Sequence, residues 1–137
     1  MASLSVTAAN VAIVGSSSTA ILVQAGEALT QGQPVYRSTS TGKYLKADAN
    51  DTEAKAEAEG IVLTPAATDG WFLMATEGQI NPGATLTKGT AYYVANVVGE
   101  IAPFSDLTTN DYVTLLGHAS STSVLDLAIT PTRIQKA

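Results

Sequence analysis

Cysteine is absent from the 137 residues, and with it go disulfides, thiolate metal sites and cysteine nucleophiles. Histidine occurs once, as His118. Metal sites need several converging His, Cys, Asp or Glu ligands, so a lone histidine on a strand reads as a satisfied polar group. Charge is scarce as well: Asp, Glu, Lys and Arg make up 14 % of the chain, against about 25 % in an average domain. The basic residues are Arg37, Lys43, Lys46, Lys55, Lys88, Arg133 and Lys136, in a chain of net charge −5. None of them cluster in a way that could follow a phosphate backbone, which excludes nucleic acid as a partner. No Lys or Arg precedes Arg37, so the positive start of a secretory signal is missing. No apolar run approaches the roughly 18 residues of a membrane span. The expectation is a chain made soluble in the cytoplasm, kept at full length, with no membrane partner.

Constellations for catalysis are missing too. Neither the 16–18 nor the 120–121 serine run lies in a Gly-x-Ser-x-Gly elbow. Gly26 and Gly32 flank a turn and open no helix, so they form no phosphate cradle. Asp48, Asp51, Glu53, Glu57 and Glu59 are close in sequence, but a calcium loop would need a central glycine and a bidentate Glu at its twelfth position. The central glycine is absent, and the acids read as a solvated helix entrance. The expectation is no enzyme, no cofactor and no metal.

What the chain does contain is a repeat. Gly26, Leu29, Thr30, Gly32, Tyr36 and Gly42 recur as Gly83, Leu86, Thr87, Gly89, Tyr93 and Gly99, each displaced by 57 residues, and Gly60/Gly117 and Asp69/Asp126 keep the offset. Glycine supplies half of these matches, so composition contributes part of the agreement. The unbroken register over turn and strand positions favours a duplication of one supersecondary unit, over residues 26–69 and 83–126. Short apolar runs divided by Gly and Pro turns predict an all-β fold, a small β-barrel or β-tulip/sandwich with two related halves.

Within that pattern, residues 19–24 read as a short buried strand, 35–37 and 43–47 as a hairpin, and 61–64, 71–75, 91–95 and 112–116 as further strands. The last strand, 123–129, is expected to end at Pro131. One short helix is expected over residues 50–59, with Asn50 as N-cap, Glu53 completing a capping box and Gly60 as its stop. Residues 1–18 read as an N-terminal arm joined by the flexible Gly15-Ser16-Ser17-Ser18 to a β domain over 19–137. Trp71, Phe72, Tyr92 and Tyr93 are the aromatics available for a sugar platform, although alternation leaves at most one of each pair on a given face. The low charge permits two readings: a solvated acidic β domain, or neutral surface suited to protein contact.

Three stretches carry a resemblance: Gly26-Glu-Ala-Leu-Thr-Gln-Gly-Gln-Pro-Val-Tyr36, Lys43-Tyr-Leu-Lys-Ala-Asp-Ala-Asn50 and Glu59-Gly-Ile-Val-Leu63. With Gly83 to Gly89, Asp111 to Gly117 and the opening Leu4 to Val11, they resemble the capsid decoration (cement or head-stabilising) proteins of tailed bacteriophages. The resemblance implies a small β domain on the outer surface of a mature phage head. It also implies a virion structural protein, synthesised in the host cytoplasm, that holds the major capsid protein lattice together. Its implied oligomer is a homotrimer, with a dimer as the alternative. A receptor- or glycan-binding head fibre or tail module is the alternative function. Residues 3–13 alternate like a strand without an evident partner, so Leu4, Val6, Val11 and Ile13 are the candidate contacts to capsid or to a neighbouring protomer. An ordinary first strand within its own barrel is the alternative for this segment.

Overall fold

The computed structural model describes residues 4–137. Nine strands form: β1 (Val11–Gln24), β2 (Pro34–Arg37), β3 (Tyr44–Lys46), β4 (Gly60–Val62), β5 (Trp71–Pro82), β6 (Ala91–Val94), β7 (Ile101–Pro103), β8 (Tyr112–Ala119) and β9 (Leu125–Gln135). Eight of them make one antiparallel sheet in the order β3-β2-β4-β5-β9-β8-β6-β7, curled into a half-barrel, and β1 adds to β5 off that path. The fold is all-β with one short helix, as the sequence predicts.

The two related halves are visible in the pairing. Pro34 faces Ile61 and Val35 faces Gly60, and 57 residues on Ala91 faces His118 and Tyr92 faces Gly117. The hairpins agree in the same way: Val35↔Lys46 and Tyr36↔Leu45 become Tyr92↔Pro103 and Tyr93↔Ala102. Gly32 N–H donates to the Val62 carbonyl at 2.8 Å, and Gly89 N–H donates to that of Ala119 at the same distance. The correspondence reaches the opening strand, because residues 21–23 of β1 stand to β5 as residues 78–80 of β5 stand to β9. Each unit is therefore a strand, a hairpin, a third strand and a closing strand, and β5 closes the first unit while opening the second. Asp69 and Asp126 fall outside the correspondence. The first sits in a turn at φ 68° and the second lies within β9, because the second unit's last connection is shorter.

Two apolar clusters hold the sheet. The larger gathers Ile61, Ile80, Val94, Ile101, Leu116 and Leu125 with Ala47, Ala49 and Ala58, drawing on both units. The smaller contains Leu29, Val35, Val62 and Met74, with Tyr44 set edge-on to Phe72 at 6.2 Å between ring centres.

Several local expectations change. The helix is a single turn, α1 (Glu53–Ala56), capped by Thr52, whose hydroxyl accepts from Lys55 N–H at 3.3 Å. Asn50 instead donates its N–H to Asp48 Oδ1 at 2.9 Å, and Gly60 begins β4 rather than stopping a helix. Burial of Ala56 and Ala58 pins this stretch to the core, which stops the helix from running on. Pro131 does not end the last strand. It pairs with Thr114 inside β9, past the part of β9 that pairs with β5, so its missing N–H removes no ladder bond on that side.

Residues 15–18, expected as a flexible link, lie within β1. They form a wide bulge: Val14 faces Gln79 and Thr19 already faces Glu77. The Ser18 hydroxyl donates to the Gln79 carbonyl at 2.9 Å and accepts from the Gln79 N–H at 3.1 Å, restoring both groups where the ladder breaks.

Candidate assembly surface

The four arm residues singled out in the sequence are placed differently from one another. Ser3, where the expected arm segment begins, lies outside the described residues. Leu4 is half-buried against the larger core, and its N–H donates to the Ile101 carbonyl at 2.8 Å beside the end strand β7. Val6 lies over Gly32, where an added Cβ would stand 2.7 Å from Val6 Cγ1. Val11 is buried and pairs with Pro82. Ile13 pairs with Ile80 and keeps 41 % of its surface exposed. Three of the four thus pack on their own chain, and Ile13 alone stays exposed.

A second group, of which the sequence singled out only Trp71, is more exposed. Along β5 the side chains alternate, with Phe72 and Met74 buried while Trp71 and Leu73 are 61 % and 40 % exposed. Leu73 faces Leu22 of β1, which is 63 % exposed, and Trp71 faces Gln24. Ile21, expected in a buried strand, is 41 % exposed, because no strand lies beyond β1 among the described residues. One flank of the molecule therefore carries Leu22, Leu73 and Trp71 side by side. No signal in the sequence marks it, since Trp71-Phe72-Leu73-Met74 is apolar at every position and period two cannot say which face turns outward.

The polar groups weighed for chemistry are dispersed. His118 stands exposed on β8, its Nε2 3.8 Å from Asp126 Oδ2 across the strand pair. Asp51 pairs with Lys55 at 2.6 Å, Glu57 with Arg133 at 2.6 Å, and Glu59 accepts from the Tyr44 hydroxyl at 3.1 Å. Among the described residues no three His, Cys, Asp or Glu are grouped to hold a metal ion. Tyr92 is buried with its hydroxyl accepting from Thr87 N–H at 2.9 Å, Phe72 is buried and Tyr93 is half-buried against Phe104, so of the four aromatics weighed for a sugar platform Trp71 alone is exposed. A groove of about 550 Å³ opens where β4 and β9 part along β5, bordered by Glu59, Glu77 and Pro131. No protein-family model and no curated protein matches this chain.

Proposed function

We propose that the chain is a virion structural protein that binds the outer surface of a tailed-phage capsid and stabilises the major capsid protein lattice. It does so as a homo-oligomer, without catalytic groups, cofactor or nucleic acid. The resemblance of residues 26–36, 43–50 and 59–63 to capsid decoration proteins motivates this reading. The observation that carries it is the flank of Leu22, Leu73 and Trp71 on a β1–β5 ribbon whose first strand has no charged residue. Depletion of charge around outward aromatic and aliphatic side chains is the composition of an interface core. Small contacts of this kind become strong when an oligomer engages several lattice subunits at once.

One observation favours the alternative of a glycan-binding head fibre or tail module: Trp71 is outward. Sugar stacking also requires hydroxyl or amide partners around the ring, and the strand neighbours on that face are Leu73, Leu22 and a single amide, Gln24.

Heads of the encoding phage, prepared without this chain and pelleted after incubation with it, test the reading. The expected result is binding in a fixed ratio to the major capsid protein, lost in Leu73→Glu. A chain that stays in the supernatant overturns the capsid reading. Quenching of Trp71 fluorescence by a host-surface glycan, with no binding to heads, would establish the alternative.

A further inference from the structure

Among the described residues the sheet has four places where a strand edge is open or at the end of a ladder, and three of them are guarded. End strand β3 is three residues long and carries Lys46, and end strand β7 is three residues long, ends in Pro103 and has Leu4 against it. The outer part of β9 holds Pro131 and Arg133, the latter at φ 61° and paired with Glu57 at 2.6 Å. Short length, proline, charge and backbone irregularity are the devices that keep an edge from pairing with another chain. β1 has none of them beyond its central bulge. Residues 19–24, Thr-Ala-Ile-Leu-Val-Gln, are uncharged and free of Pro and Gly, regular from Ala20 on, with Ile21 and Leu22 exposed.

The internal repeat shows what kind of segment such an edge accepts. In the second unit the opening strand, the last part of β5, has β9 along one edge and residues 11–14 of this same chain along the other. In the first unit the opening strand, residues 19–24, has β5 along one edge and nothing along the other among the described residues.

We infer that residues 20–24 of β1 pair antiparallel with the same residues of a second copy of this chain, continuing the sheet across a twofold axis. An isologous contact suits this segment because it brings no charge against its own image. It also needs no second open edge, and the other edges are guarded. A twofold axis normal to the sheet leaves both copies showing the same face. Leu22, Leu73 and Trp71 of the two copies then form one doubled apolar platform. The inference deepens the homo-oligomeric part of the proposed function and makes the contact twofold. It is tested on purified chain without heads, so its failure is separate from failure of the capsid reading.

Sedimentation of the full chain across the micromolar range should give twice the 14.0 kDa of one chain. Leu22→Lys and Leu22→Glu should each give the single-chain mass with unchanged circular dichroism, and mixing them should restore the doubled mass. Because the chain has no cysteine, single cysteines placed in turn at residues 19–24 give a clean second readout. Oxidation should cross-link copies at one position or two adjacent ones and fall off on either side, since a disulfide needs Cα atoms about 4.4–6.8 Å apart. This scan stands even if a charged variant fails to fold. A monomer at every concentration, a trimer, or an oligomer with no cross-linking in this scan overturns the inference. So does a chain that is monomeric alone and gains amide protection in β1 only on adding heads, which would give the edge to a capsid subunit.

Discussion

Gly32 and Gly89 occupy matching places in the two units at φ 88° and 83°, yet only one is crowded. A Cβ on Gly89 meets nothing within 4 Å, whereas one on Gly32 meets Val6 Cγ1 at 2.7 Å and the Pro82 carbonyl oxygen at 3.3 Å. Gly89→Ala should cost about 1–2 kcal/mol for the left-handed backbone alone. Gly32→Ala should cost about 1–3 kcal/mol more from overpacking, as read by urea unfolding of the two variants. Tyr44 carries a different kind of information. Burial raises its pKa above 10.0, with the neighbouring Glu59 charge and hydrogen bond adding to the shift, and burial likewise raises that of Tyr36. The folded chain therefore holds these protons more tightly than the unfolded one. That stability is fully present below pH 10.0, the unfolded value, and is lost as the pH rises through the folded values. Tyr44→Phe should lose about 0.5–1.5 kcal/mol near neutrality with its hydrogen bond. It should also flatten the decline above pH 10.0, as followed by thermal melts between neutral and alkaline pH.

Among the elements, the hairpin β2–β3 was legible because turn residues bound it and its side chains alternate. The full length of the long strands was not. Gly15 to Ser18 reads as a linker in one dimension, and composition cannot show that a hydroxyl there takes over both polar groups of Gln79. Ser18→Ala should cost about 1–3 kcal/mol by leaving those half-buried groups unpaired, with faster hydrogen exchange at the Gln79 amide. Pro131 misleads for a related reason. A proline stops a strand that is paired on both edges, but β9 pairs with β5 only over residues 125–127. The candidate surface was the least legible part. Leu4, Val6 and Val11 alternate as a docking strand would, and their burial depends on Gly32, Pro82 and Ile101, far away in the chain. Leu22, Leu73 and Trp71 become neighbours only through the β1–β5 register.

For the whole molecule, the shared strand matters most. β5 gives residues 74–75 to β4, 78–80 to β9, and pairs with β1 in both halves. Ile80, in its second half, and Ala75, in its first, lie in one core. The two units should then unfold as one. A fragment of residues 83–137, which lacks β5, should show the circular dichroism of an unfolded chain, while the full chain gives a single coincident transition by dichroism and amide exchange.

The same strand decides how the molecule bears load. β1 and β9 are both antiparallel to β5, so they run parallel to each other on its two sides. A pull that draws the two termini apart first peels residues 4–10 from Ile101 and Gly83. It then drags β1 and β9 in opposite directions along β5. The cross-strand hydrogen bonds lie perpendicular to that motion, so they are strained together rather than opened one after another like a zip. This is the arrangement of a shear clamp. On the capsid shell proposed above, tension entering through the ends of the chain would load the sheet in shear.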